Sequence, residues 1–384
     1  MMRGGIPTNQ AAGPPFPVGV PVGQDDMIDR VELLDELVAR LGAGQSLLLA
    51  GPRRTGKSGV GHEALRRLRA ANVYVASVDL FHVASLEELA VRLLGATLEN
   101  RIGPWSRAVH NIAVLRDALA SVRLTAKVHD LELGLALSAK TLSPEDALDV
   151  AVATGERIAA RDGKRLVVLM DEFQEVERIG GDALFRRLRA LMQAASHTAY
   201  LFLGSRPSLL RALFSQHSAA FYRFALPMEM PPIPDAAWRT YLRRKLASHR
   251  LTITDSAVNL LLERTGGHPW CTMEVISEAW MMRGEATTID AEHVILGYNR
   301  ALDRLTPVYE AEWQEVRRVR HADLVLKSLV AGAPPFDGQL NSGTVTRALH
   351  HLIDMAVVEH GTKRGEYLLV EKMFGEWVRS YICS

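Results

Sequence analysis

Three observations predict an α/β fold built on a parallel sheet. The first is the loop Gly51-Pro52-Arg53-Arg54-Thr55-Gly56-Lys57-Ser58, which fits G-x-x-x-x-G-K-[ST] without a mismatch. It lies between the apolar run Leu47-Leu48-Leu49-Ala50 and a helical pattern from Ser58 to Ala70. The second is Leu166-Val167-Val168-Leu169-Met170, an unbroken apolar run ending in Asp171-Glu172. The third is Ala199 to Gly204, ending in Ser205-Arg206. Apolar runs of this length are what strands buried on both faces look like. Strand–loop–helix is the setting that a phosphate-binding P-loop requires.

In chain order, residues 1–24 are rich in Pro and Gly and predict a flexible tail, extended near Val18 to Gly23. Val31, Leu34, Leu37, Val38 and Leu41 recur at helical spacing before Gly42 and Gly44 close that helix. Val73 to Asp79 is a β-branched strand. Helical patterns follow at 85–96 and 107–122, and Leu131, Leu133, Leu135 and Leu137 alternate like a half-exposed strand over His129–Ala139. Ser143-Pro144-Glu145 opens a helix over 143–161 in cap-like fashion. On the helix after Glu172, the arginines at 186, 187 and 189 fall outside the apolar stripe. A solvated face is the default reading, with a protomer or nucleic-acid contact as the alternative.

Pro231-Pro232-Ile233-Pro234 marks a boundary. Four regions follow: a tail (1–24), a P-loop core (25–232), a helical lid (233–310) and a winged-helix-like domain (311–384). In the lid, Gly266-Gly267 breaks two helices and Pro269 sits in the first turn of the next. His268 reads first as a cap for that helix and second as a phosphate sensor. Residues 320–384 read as three helices and then a hairpin. Ser342 or Thr344 opens its recognition-like helix, and the turn at 361–365 makes a wing.

The chemistry follows from residue type and place. The glycines let successive N–H groups curl around one anion, and the helix N-terminus adds partial positive charge. Lys57 reaches β- and γ-phosphates, and the Ser58 hydroxyl ligates Mg²⁺. Ligands sit at the carboxyl ends of strands in open α/β sheets. Asp171 is therefore a candidate for the Mg²⁺ shell and Glu172 for orienting the attacking water. If the 199–204 strand lies between the other two, Ser205 faces the γ-phosphate; otherwise Ser205-Arg206 is an ordinary helix start. Arg223 and Arg206 compete as the arginine that reaches a γ-phosphate, Arg223 in cis or from a neighbouring subunit. A salt bridge is the plainer reading of Arg223.

The chain resembles AAA+-type P-loop ATPases, close to the archaeal and bacterial STAND and origin-recognition-like groups. The resemblance rests on Ile28-Asp29-Arg30-Val31-Glu32-Leu33-Leu34 (a pre-P-loop box with Asp29 in place of its Gly), Gly51 to Ser58, Asp171-Glu172-Phe173-Gln174-Glu175, Gly266-Gly267-His268-Pro269 and Phe374-Gly375-Glu376-Trp377-Val378. It implies an AAA+/ASCE-like sheet followed by a helical lid and a C-terminal winged helix. It also implies ATP and Mg²⁺ as cofactors, and a nucleotide-binding role for Gly51 through Gly59, Arg30 and Pro269. Val22 and Ile28 become adenine-pocket candidates, with core packing as the alternative. The expected activity is an ATPase switch; the rivals are a DNA-binding regulator and an assembly scaffold, each using ATP as a structural ligand.

Composition bounds the partners. With 384 residues, 48% hydrophobic and 23% charged, the chain is an ordinary globular sequence of two or three domains. A net charge of +1 exerts no global pull on nucleic acid or membranes. In the last domain, basic residues such as Arg347, Lys363 and Arg364 are matched by acids, so DNA contact there is one expectation and a latch on the core the other. A protein partner or a second copy is a further expectation. Two cysteines, Cys271 and Cys383, and no apolar stretch near the ~20 residues of a membrane span fit a reducing cytoplasm.

Overall fold

A computed structural model of the protein describes residues 14–19, 22–102, 143–336, 340–361, 363 and 365–383. The helix expected at 107–122 and the strand expected at His129–Ala139 lie outside the described residues. The chain forms two compact units. One comprises Val31–Gly51 and Val60–Met230; the other comprises Pro52–Gly59, the residues up to Arg30 and those from Pro231 onward.

The first unit is built on a parallel sheet of β1 (Leu47–Ala50), β2 (Tyr74–Asp79), β3 (Leu166–Asp171), β4 (Thr198–Gly204) and β5 (Leu226–Glu229). The order is β2-β3-β4-β1-β5, and every neighbouring pair is parallel. β1, β3 and β4 are buried along their whole length, as their continuous apolar runs require. β2 and β5, at the edges, are part exposed. Met170 is opposite Phe202 and Leu201 opposite Leu47, so the carboxyl ends of β3, β4 and β1 come to one edge of the sheet. The third predicted strand does lie between the other two.

Helices α1 (Val31–Gly42), α2 (Lys57–Ala70), α3 (Leu86–Ile102), α4 (Pro144–Arg161), α5 (Val176–Gln193) and α6 (Pro207–Ser215) belong to this part of the chain. The Ser143 side chain caps α4 by accepting from Asp146 N. Gly61 lets α2 lie close on the sheet: a Cβ there would stand 2.6 Å from Leu169 and 2.8 Å from Leu203. An aromatic plug of Phe173, Phe202, Phe214 and Phe221 fills the space beyond β3 and β4, with Phe173 and Phe202 rings 4.4 Å apart. The arginines of α5 are not simply solvated. Arg187 makes a bidentate pair with Asp149 of α4 at 2.8 Å, and Arg189 lies 4.5 Å over the Phe224 ring. Arg186 remains exposed and pairs with Asp182.

The second unit holds α7 (Asp235–Ala247), α8 (Asp255–Thr265), α9 (Pro269–Met282) and α10 (Ala291–Val316), with a short parallel pair β6 (Thr252–Ile253) and β7 (Thr288–Ile289). Then come α11 (Ala322–Val330), α12 (Ser342–Asp354), the antiparallel hairpin β8 (Val358–His360) and β9 (Tyr367–Leu369), and α13 (Lys372–Trp377). Among the described residues beyond 320, two α-helices precede the hairpin, and α13 with a π-helical turn at Val378–Ile382 follows it, rather than three helices preceding it. α12 opens at Ser342, as expected, and the preceding Asn341 caps it by accepting from Thr344 N at 2.8 Å. The helix α10 runs unbroken across residue 310, and one apolar core joins Trp238 and Leu261 to Leu349 and Trp377. Lid and C-terminal module therefore share a helix and a core instead of meeting at a linker.

Glu156 of α4 fastens the start of β4, accepting from Ser196 N (2.8 Å), His197 N (2.9 Å) and Thr198 Oγ1 (2.8 Å). Burial alone would raise its pKa, but these donors hold it down at about 2. The stabilisation is complete above the ordinary carboxylate range and is lost as pH falls toward about 2. Glu156→Ala should cost ~1–3 kcal/mol in urea unfolding at neutral pH, from the orphaned donors. It should also flatten the acid limb of the stability curve. An unchanged acid limb would show that Glu156 is not the anchor.

Candidate active site

The P-loop leaves β1 and enters α2, whose first turn carries no acidic residue. Gly56 (φ 94°) and Arg54 (φ 61°) are both left-handed, which turns the backbone back on itself. Thr55 Oγ1 donates to Pro52 O at 2.9 Å, and Lys57 Nζ donates to the same carbonyl at 2.5 Å. The lysine is 5% exposed, so its ammonium is drawn into the concavity of its own loop. Ser58 beside it is exposed. An acid-free helix start, an inward ammonium and a free-standing hydroxyl fit a polyphosphate with its Mg²⁺.

The segment before β1 borders this loop. Val22 and Met27 are the nearest side chains to Gly59, with Val22 Cβ 3.7 Å from where a Cβ would stand. Ile28 instead belongs to the apolar core. Asp29 is left-handed (φ 54°), which gives a reason for the glycine of the resembled box; Asp tolerates that region better than most residues. Arg30 is 4% exposed and donates to Asp29 O at 3.1 Å. Asp26 accepts from Tyr241 OH at 2.7 Å and Lys245 Nζ at 2.5 Å, which ties the segment to α7.

Gly266 (φ 65°) and Gly267 (φ 67°) end α8, and Pro269 opens α9. His268 occupies the cap position of α9 but makes no side-chain cap bond, contrary to its first reading. Its Nε2 instead donates to the P-loop carbonyl of Arg53 at 3.3 Å. Nδ1 is buried without a hydrogen-bond partner among the described residues. Burial, with the charges of Arg54 and Lys57, brings the imidazole pKa down to about 4, so it is neutral at physiological pH.

Arg54 is held from two sides within the same unit. Its guanidinium lies 3.8 Å from the Trp270 ring centroid and 3.7 Å from Glu371 Oε1. A small cavity of about 30 Å³ opens here between Arg53, Arg54, Glu312, Val357, Glu371 and Phe374. Burial and the Glu312 charge push the Glu371 carboxyl up to about 7, against the pull of Arg54. Glu312 is raised too, chiefly by burial. Cys271 Sγ lies 3.8 Å from Glu371 Oε2 as a weak donor.

At the carboxyl end of β3, Asp171 is 7% exposed and its Oδ1 accepts from Glu172 N at 2.9 Å. Glu172 takes a left-handed conformation (φ 51°, ψ 49°) between β3 and the buried Phe173. Glu172 Oε2 accepts from Ser205 Oγ at 2.8 Å, from Ser205 N at 3.3 Å and from Gln174 Nε2. Thus Ser205, 3% exposed, meets the candidate water-orienting group directly. Arg206 follows at the start of α6, with Nε buried and unpartnered among the described residues.

Arg223 precedes β5, and Leu226 aligns through Leu47 with Leu201. Ser205 lies four residues further along, roughly 13 Å at ~3.3 Å per residue. Arg223 therefore stands toward the edge of the sheet opposite the one that carries Ser205. Its guanidinium lies 5.1 Å over Tyr222, and it forms no ion pair among the described residues.

Sequence reasoning missed Trp270, Glu371 and Gln174. The first stands directly after the Gly266–Pro269 motif, and Gln174 lies inside the Asp171–Glu175 motif, so both carried a positional signal. Glu371 carried none.

No family model matches the chain, and no curated protein sequence does. Solved structures do. A Walker-type ATPase of Pyrococcus abyssi superposes with a TM-score of 0.68 at 16% identity, covering 95% of this chain and 99% of that one. The ORC2 protein of Aeropyrum pernix, solved as ADPNP–ADP complexes, gives 0.53 at 12% identity over 96% and 100%. The ORC1 protein of the same organism, solved in complex with DNA, gives 0.50 at 15% identity over 93% and 94%. The chain thus shares the fold of these three structures over nearly its full length.

Two carboxyl and imidazole shifts give opposite pH dependences. Glu371 holds its proton in the folded state up to about 7, so its contribution to stability is lost as pH rises from the ordinary carboxylate range to about 7. His268 stays neutral down to about 4, so its contribution is lost as pH falls from the ordinary histidine range to about 4. Thermal unfolding across this range should show Glu371→Gln removing the alkaline decline and His268→Gln removing the acid decline. Parallel curves for wild type and either variant would refute the corresponding assignment.

Proposed function

We propose, from the AAA+-type fold, that this protein is an Mg²⁺-dependent ATPase that works as a nucleotide-driven switch. The observation that carries the reading is Arg54: a P-loop guanidinium held at once by Trp270 of the lid and Glu371 of the C-terminal module. In this reading ATP and Mg²⁺ supply the transferable γ-phosphoryl group and the metal that neutralises its charge. The backbone of Gly51–Gly59 cradles the phosphates, Lys57 neutralises them, and Ser58 and Asp171 hold the metal. Val22 and Pro269 border the base; Arg30 braces the segment before the loop. Glu172 orients the attacking water, with Ser205 fixing its carboxylate and Arg206 available to developing charge. Arg223 reaches the γ-phosphate of the nucleotide bound to a neighbouring copy in a homo-oligomer.

The C-terminal module is read as a winged helix that serves as a latch. Phosphates compete with Glu371 for Arg54, so nucleotide state sets how firmly the module is held. A second reading has one specific support. The outer face of α12 exposes Ser342, Thr346, Arg347 and His350, with Lys363 exposed in the wing, as a DNA-contacting helix would. Arg364 lies outside the described residues. No described helix is long and apolar enough to cross a membrane. With its few cysteines the chain is assigned to the cytoplasm.

Steady-state hydrolysis and nucleotide titration test the enzyme reading. Lys57→Ala should abolish ATP binding, whereas Glu172→Gln should keep binding and lose about 10²-fold or more in turnover. Equal turnover in wild type and Glu172→Gln would remove Glu172 from catalysis. Glu371→Gln should tighten ATP binding about 5-fold, the low end of typical coupling energies. No change would end the latch reading. Duplex DNA bound by wild type, with the salt slope reduced in Arg347→Ala/Lys363→Ala, would establish the second.

A further inference from the structure

The DEFQE stretch holds a side chain with no role assigned above. Gln174 is 5% exposed and lies two residues after Glu172 in the same tight turn. Its Nε2 donates to Glu172 Oε2 and stands 3.4 Å from Ser205 Oγ. Its Oε1 is buried with no partner among the described residues. That oxygen occupies the space that Gly204 leaves open: a Cβ on Gly204 would stand 2.4 Å from it. The amide orientation is fixed by its surroundings. Turned over, it would set Oε1 against the Glu172 carboxylate, so the unmet acceptor is tolerated in exchange for a charge-assisted bond.

Three donors thus converge on one oxygen of Glu172: Ser205 Oγ, Ser205 N and Gln174 Nε2. None of the described residues donates to Glu172 Oε1. A carboxylate pinned by one oxygen keeps a single orientation and offers the other. The left-handed backbone at Glu172 and the buried Phe173 next to it fix the turn from which both side chains project.

We infer that Gln174 is a positioning residue for hydrolysis, which with Ser205 anchors Glu172 Oε2 in a niche kept open by Gly204 and leaves Oε1 to orient the attacking water. Gln174 touches neither nucleotide nor water in this assignment; it acts through Glu172. The inference rests on the ATPase reading, in which Glu172 is the water-orienting group. A misoriented base loses rate without losing bound nucleotide, because positioning contributes to the transition state rather than to ground-state affinity.

The experiment is a comparison of wild type, Gln174→Leu, Gln174→Glu, Gly204→Ala and Glu172→Gln, by ATP titration, melting temperature and single-turnover hydrolysis of bound ATP with enzyme in excess. Leu keeps the volume of Gln174 without its donor. Glu fills the same niche but sets a like charge beside Glu172. Ala at 204 displaces Gln174 Oε1 without changing Gln174 itself, although it also crowds Leu210, 2.3 Å from the added carbon. The expected result is a loss of about tenfold or more in hydrolysis rate for both Gln174 variants, with ATP Kd within about twofold of wild type. Gly204→Ala should follow them wherever its melting temperature is kept. Wild-type hydrolysis rates in the Gln174 variants, faster rates, or a loss confined to ATP affinity would each overturn the inference. Those outcomes leave the ATPase reading standing so long as Glu172→Gln still abolishes turnover. Failure of wild type to bind or hydrolyse ATP would instead remove the ATPase reading, and this inference with it.

Discussion

The chemistry of the first unit depends on β4 lying between β1 and β3. All five strands are parallel, so their carboxyl ends share one edge in any order; this order sets Gly204 in register with Ala50 and places β4 directly beside β3. The order is made possible by strands that are apolar on both faces, so that each can accept a neighbour on either side and a helix layer above and below. The aromatic plug then fixes what leaves β3. Phe173 is fully buried against Phe202, 4.4 Å between ring centroids, and the chain must turn through a left-handed residue to put it there. That residue is Glu172. Its conformation is thus set by apolar packing one position away, not by its own preference, and non-glycine residues in that region persist where surrounding structure over-determines them.

The second unit shows a different economy. Its P-loop residues Pro52–Gly59 make their compact contacts with the segment before β1, the lid and the C-terminal module. Arg54 concentrates this arrangement, stacked on Trp270 and paired with Glu371. The pair is an uneasy one. Glu371 has a second carboxylate, Glu312, close enough to raise it, and burial opposes its charge. A partly buried ion pair with poor compensation is worth little in net stability.

Legibility followed the physics of each signal. Strands β1, β3 and β4 were plain because double-sided burial leaves continuous apolar runs. The places of Asp171 and Glu172 at the end of β3, and of Lys57 and Ser58 at the start of α2, were legible because each motif coincides with a strand end or a helix start. The proline-rich stretch at 231–234 coincides with the division between the two units, whereas residue 310 falls inside α10, where Leu302, Leu305, Tyr309 and Trp313 keep one helical face in the core. His268 was misread because its local pattern, after two glycines and before a proline, is that of a cap; its true partner is a carbonyl 215 residues away in sequence. Glu371 was invisible, since no local pattern marks a carboxylate that meets a loop more than three hundred residues earlier.

The proposed switch is constrained by energy. A ligand moves an equilibrium only by its differential affinity for the two states. Arg54 supplies that difference only if its contact with phosphate and its contact with Glu371 exclude one another, and one guanidinium on a left-handed backbone cannot turn freely between distant partners. The competition is therefore weak by nature, of the order of a single partly buried ion pair. Coupling through one such contact lies at ~1–3 kcal/mol, which changes affinities but does not by itself throw a state from fully held to fully free. His268 provides a second link of the same kind, because its Nε2 is bonded to the Arg53 carbonyl and its neutral form is held by burial. Any rearrangement of the loop around a polyphosphate must either carry that carbonyl with it or break the bond and leave a buried imidazole with both nitrogens unmet. In the proposed switch the lid therefore gains or loses with the loop, and the two contacts together would give nucleotide state a larger hold on the second unit than either gives alone.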